Sequence, residues 1–121
     1  MNNLHLSKEA QNDLAEIKAH ITEELENPDA ALATISRITK KIRVLKNQAY
    51  VGTPLSSVAD TESDYRFLVS GNYLVFYRAY GRDVYIDRVL YGRRDYMRIL
   101  FGDAQSDETD DNSILFPASE R

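Results

Sequence analysis

The stretch YRFLVSGNYLVFYRAYGRDVYIDRVLYGRRDYMRILF, residues 65–101, contains three apolar runs and the glycines that separate them. YRFLVS ends at Gly71-Asn72, YLVFYRAY at Gly81-Arg82-Asp83, and VYIDRVLY at Gly92. Val, Ile, Phe and Tyr suit a pleated, half-buried surface, and Gly beside Asn or Asp accepts the backbone of a tight turn. The pattern predicts a three-stranded antiparallel meander. Seven of the fifteen Lys and Arg residues also fall in this window, so candidate binding chemistry concentrates here. The rest of the chain reads as a scaffold that covers one face of the sheet.

Upstream, Leu4-His5-Leu6 alternates like a short edge strand. Ser7 follows where a helix N-cap belongs, because its hydroxyl accepts from a first-turn N–H that has no helical partner. Ala10, Leu14, Ile17, Ile21 and Leu25 then form one apolar stripe at helical spacing, and Lys8, Glu9, Asp13, Glu16, Lys18, Glu23 and Glu24 fall mostly off it. Asn27-Pro28 breaks this helix and starts the next, since Pro at the first helical position loses only an unused donor. Ala31, Ile35, Ile38, Ile42 and Leu45 make the second stripe. Lys40, Lys41, Arg43 and Lys46 crowd its end, where cations suit the helix dipole. The short connection predicts a helical hairpin, and both stripes need a sheet face to bury them. Residues 47–64 read as a loop around Gly52-Thr53-Pro54.

Downstream, residues 95–101 read as one short closing helix. From residue 103 the composition turns polar and acidic, the signature of a disordered tail, and only Ile114-Leu115-Phe116-Pro117 interrupts it. That tail carries six acidic residues against Arg121 alone, while residues 1–102 hold 14 basic and 13 acidic groups. A body so near neutrality does not look like a strongly basic nucleic-acid binder. The expected organisation is one α+β domain, residues 1–102, followed by the tail 103–121. Cysteine is absent, which removes disulfides and thiolate chemistry and fits a reducing cytoplasm. No secretory leader and no membrane span is read in the chain. With no Cys and only His5 and His20, no metal site or cofactor is expected.

Tyr65-Arg66, Ser70-Gly71-Asn72-Tyr73, Val75-Phe76-Tyr77-Arg78, Asp87-Arg88-Val89-Leu90 and Gly92-Arg93-Arg94-Asp95, in this order, resemble the RelE/ParE superfamily of type II toxins. The opening, residues 6–14, is similar as well, and the resemblance covers about residues 4 to 102. It implies a helical hairpin packed on a small antiparallel sheet, with the N-terminal strand at an edge. It also implies a cytoplasmic toxin neutralised by a cognate antitoxin whose C-terminal segment wraps over the toxin body. Assembly as a homodimer, or as a hetero-oligomer with the antitoxin, is left open. RelE-like members cut mRNA on the ribosome, whereas ParE-like members inhibit DNA gyrase.

RelE-type cleavage needs cations for the phosphorane charge and groups to move protons. By resemblance, Arg66 falls where one lysine would stand, Arg94 matches the basic residue after the last strand, and Tyr96 stands near a late tyrosine. Leu68 and Leu74 replace two further cations, and no His lies in the strand region. This departure favours the ParE branch and gyrase inhibition. An mRNA endonuclease using Arg66, Arg94 and Tyr96, or a non-toxic partner-binding module, remains the alternative. Under the inhibitor reading Arg66, Arg78, Arg88, Arg93, Arg94 and Arg98 are the candidate target- or partner-binding residues. The competing structural role for Arg66 and Arg78 is cross-strand pairing with Asp64, Asp83 or Asp87. For Arg88, which must face away from Asp87, it is an ion pair elsewhere.

Overall fold

The computed structural model describes residues 1–59 and 61–102; the acidic segment 103–121 lies outside the described residues. Strand β1 (Asn3–Leu6) runs through Ser7 into α1 (Lys8–Ala19). The Ser7 hydroxyl accepts from the Ala10 N–H at 2.9 Å and donates to the Asp87 carbonyl at 2.7 Å, so the cap also pins the helix to the sheet. Helix α1 widens into a π-helical turn, His20–Glu24. Asn27 caps α2 (Pro28–Val44), with Pro28 in its first turn, as the sequence predicts. After β2 (Thr53–Pro54) and a 3-10 turn (Leu55–Ser57) come β3 (Arg66–Ser70), β4 (Tyr73–Tyr80), β5 (Asp83–Tyr91) and α3 (Tyr96–Phe101).

The strands order as β1-β5-β4-β3-β2. Two-residue turns join β3 to β4 and β4 to β5, with Gly71 and Gly81 at φ of 58° and 59°, which a side chain would resist. β1 takes an edge as expected, but it runs parallel to β5, so the sheet is only mostly antiparallel. β4 and β5 slip register between Phe76 and Tyr77: Phe76 faces Arg88, Tyr77 faces Ile86, and Asp87 is the extra residue. This bulge lets Val84, Ile86 and Val89 all reach the helix-side core despite the odd spacing between the last two.

Ala10, Ile38, Ile42 and Leu45 from the helices meet Val75, Tyr77, Val84, Ile86 and Val89 from the sheet. Each such large side chain contributes about 1.5–3 kcal/mol on full burial. The outer sheet face has its own smaller core of Leu55, Phe76 and Leu90, covered by Tyr96, Met97, Ile99, Leu100 and Phe101 of α3.

Three expectations are corrected. The scaffold covers part of both faces, because α3 is amphipathic enough to close the second. The segment 47–64 is not all loop: β2 pairs with β3, and Leu55 is fully buried. Leu25 leaves the first stripe and is 61% exposed, because the wider π turn shifts the helical phase before it.

Candidate functional site

Asp13 falls three residues after Ala10 and four before Ile17, so it shares their inward face although it is charged. It is 6% exposed. Its Oδ2 accepts from Arg88 Nε at 2.8 Å and from the Val89 N–H at 2.9 Å, and its Oδ1 accepts from Arg88 Nη2 at 2.9 Å. The carboxylate therefore neutralises Arg88 and satisfies an amide beside the bulge. The hydrogen bond to Asp13 raises the Arg88 guanidinium above its ordinary pKa, against the opposing effect of burial. Arg88 is thus in the structural ion pair that the sequence allowed, and its partner Asp13 is the charged residue of α1 that lies on the inward face. The spacing from Ala10 to Ile17 was the signal that could have found it.

Beside this pair opens a cleft of about 420 Å³ lined by Glu9, Asn12, Asp13, Glu16, Arg88 and Arg94. Glu9, Asn12 or Asp13, and Glu16 are one helical turn apart, so α1 presents them together. Arg88 and Arg94 are the two candidate arginines that the fold brings to one place. Arg93 and Arg94 lie exposed in the turn after β5, and among the described residues neither forms an ion pair. Arg98 follows on α3, where Asp95 accepts from its backbone N–H at 3.3 Å and faces its guanidinium at 3.6 Å.

On the outer face Arg78 Nε donates to Asp87 Oδ2 at 2.7 Å, the cross-strand pairing expected of it. The rings of Tyr65, Tyr80 and Tyr85 surround its guanidinium at 5.7, 5.9 and 6.0 Å. Burial, then the Asp87 carboxylate, pushes the Tyr65 hydroxyl up to about 12. The Tyr80 hydroxyl donates to Asp64 at 2.8 Å. At the β1 edge His5 stacks on Tyr85 and meets Asp83 at 2.9 Å, and this bond, with Asn3, holds the Asp83 carboxyl below its usual range.

Arg66 departs from expectation. Among the described residues it pairs with no carboxylate; Nη1 donates to the carbonyls of Gly52 at 2.8 Å and Tyr50 at 3.2 Å, and the guanidinium lies 5.1 Å over the Tyr50 ring. Main-chain acceptors carry no sequence signature, so this role could not be read in advance. Tyr96 sits in the outer core with its ring 5.3 Å from that of Phe76. Arg94 and Tyr96 are neighbours along the chain, the Tyr96 N–H donating to the Arg94 carbonyl at 2.8 Å, but the Arg94 side chain lines the α1 cleft, the Tyr96 ring packs in the outer core and Arg66 binds the Tyr50 and Gly52 carbonyls. Among the described residues no group of three or more His, Asp or Glu is placed to hold a metal ion.

No curated protein sequence matches the chain significantly. Among solved structures, a chain of the chromosomal ParDE TA system from P. aeruginosa superposes with a TM-score of 0.62. It shares 23% identity over 75% of this chain and 96% of its own length. YafQ from E. coli strain BL21(DE3) gives a TM-score of 0.48 and 16% identity over 84% of this chain and all of its own. The first likeness carries the fold: strand, two helices and a mostly antiparallel five-stranded sheet. The family model described as ParE toxin of type II toxin-antitoxin system, parDE, matches residues 4–96, which hold the bulge, the Asp13–Arg88 pair and the arginine turn. The chain belongs to the ParE toxin family of type II toxin–antitoxin systems.

Proposed function

We propose that this ParE-family protein arrests growth in the cytoplasm by binding and inhibiting DNA gyrase, and that a cognate antitoxin neutralises it with a segment wrapped over its body. The supporting observation is that the side chains of Arg66, Arg94 and Tyr96 are engaged in different surroundings. Arg66 is occupied by two carbonyls and Tyr96 by the outer core, which leaves Arg94 in the α1 cleft with Glu9 and Glu16 but without the other two members of the Arg66, Arg94 and Tyr96 set. RNA cleavage needs such groups converging within hydrogen-bond reach of one phosphate; an inhibitor needs only a surface. The exposed turn with Arg93 and Arg94, continued by Arg98, is the target-contacting surface in this reading. Among the described residues no helix is long and apolar enough to cross a membrane.

Purified protein is tested against gyrase supercoiling of plasmid DNA, with ribosome-dependent mRNA cleavage run in parallel. The expected result is lost supercoiling and intact mRNA. Arg94→Ala should weaken inhibition by about tenfold, the equivalent of about 1.4 kcal/mol of binding, with unchanged thermal stability because the residue is exposed. Cut mRNA with normal supercoiling would assign the nuclease activity instead. Growth unaffected by expression would leave only partner binding.

A further inference from the structure

Residues 30–59 contain Arg37, Lys40, Lys41, Arg43 and Lys46 and not one Asp or Glu. The structure turns this composition into a surface. Ile38, Ile42 and Leu45 point α2 inward and are buried, so Arg37, Lys40, Lys41 and Val44, one turn apart, line the opposite side. All five cations are exposed, and among the described residues none forms an ion pair. At the end of this face stands an uncovered apolar group: Val44, Tyr50 and Val51 are 41%, 58% and 49% exposed. Arg66 holds it in place through the Tyr50 and Gly52 carbonyls.

The chain supplies a segment of complementary chemistry. Residues 103–121 carry six acidic groups, four of them within 107–111, followed by Ile114-Leu115-Phe116. Their point of departure is close. The Phe101 ring packs edge-on against Tyr65 at 5.8 Å, Tyr65 precedes Arg66, and Arg66 lies over Tyr50. From Gly102 to Ile114 an extended chain spans about 40 Å at roughly 3.3–3.6 Å per residue, ample for a domain whose radius of gyration is about 13 Å. The arginine turn competes poorly for this segment, because Arg94 already shares its cleft with Glu9 and Glu16 and Arg98 has Asp95.

We propose that residues 103–121 dock on the cationic face of α2 of the same chain, with 107–111 against Arg37, Lys40, Lys41, Arg43 and Lys46 and Ile114-Leu115-Phe116 over Val44, Tyr50 and Val51. The docked segment occupies a face suited to acidic, apolar partners and competes with them. Each exposed charge pair is weak and screened by salt. Tethering compensates, since a short flexible linker supplies an effective concentration in the millimolar range.

The chain has no cysteine, so Ser113→Cys in the full-length protein takes a single nitroxide label. The expected result is selective broadening of amide resonances in residues 37–51, with those of Glu9 and Glu16 on α1 unaffected. The broadening should vanish in Lys40→Glu/Lys41→Glu/Arg43→Glu and fall several-fold near 1 M salt, where the Debye length is about 3 Å. Broadening centred on residues 93–98, or none at low salt, would overturn the proposal. Broadening that grows with protein concentration would place the segment on a second copy and overturn the intramolecular contact.

Discussion

On the helix face of the sheet Arg88 meets Asp13 at 2.8 Å; on the outer face, one residue earlier in β5, Asp87 meets Arg78 at 2.7 Å. The distances are alike and the surroundings are not. Asp13 is 7% exposed at its side chain, lies under α1 and also binds the Val89 amide. Asp87 is 18% exposed, its partner Arg78 is 38% exposed, and tyrosine rings rather than a helix cover them. Removing Asp13 leaves a guanidinium and a backbone amide without their shared acceptor, whereas removing Arg78 leaves Asp87 with the Tyr65 hydroxyl beside it. Bond length alone therefore does not rank these contacts; what surrounds them does. The helix face holds the molecule together, and the outer face is a half-covered surface with a polar tyrosine network.

Asp13→Ala breaks this contrast most severely. It strands Arg88 and the Val89 amide together, and urea denaturation should show a loss of about 3–5 kcal/mol. Asp13→Leu with Arg88→Met should lose less than Asp13→Ala alone, because no buried charge remains. Tyr77→Phe tests the same face without charge. The Tyr77 hydroxyl accepts from the Gly52 N–H at 2.8 Å, and its loss orphans a buried donor, which should cost about 1–3 kcal/mol in the same assay. Arg78→Ala on the outer face should cost less, about 1–3 kcal/mol, because Asp87 keeps the Tyr65 hydroxyl beside it and no backbone amide loses its acceptor. A larger loss than that of Asp13→Ala would invert the comparison.

A pH-dependent effect is expected under alkaline conditions. Tyr65 titrates near 10.0 when unfolded and at about 12 when folded. The folded state therefore keeps the proton longer. Its contribution to stability is complete below pH 10.0 and is lost as pH rises through about 12. Tyr73, Tyr77 and Tyr80 are also raised, so phenolate absorbance should show a late-titrating group of tyrosines, and Tyr65→Phe should reduce the amplitude of that late phase together with the alkaline loss of stability.

Much of the fold was legible because it rests on local chemistry. Ser7 and Asn27 announce their helices by capping, Gly71 and Gly81 announce the hairpins, and the α2 stripe is the buried one. The candidate site was legible only in part. Arg93 and Arg94 follow a strand-ending glycine and are exposed as such a turn requires. The Asp13 partnership spans 75 residues of sequence, and Arg66 binds carbonyls that any residue could provide.

The sequence by itself determined the order of elements, their caps and turns, the family resemblance and the charge contrast between residues 30–59 and 103–121. These depend on neighbours within a few positions and on residue types, both of which the linear chain contains. The tertiary structure alone decided that β1 runs parallel to β5, that the partner of Arg88 is Asp13, and that Arg66 clamps two carbonyls. Those outcomes depend on which distant groups share a face and how much water reaches them, and periodicity carries no record of either.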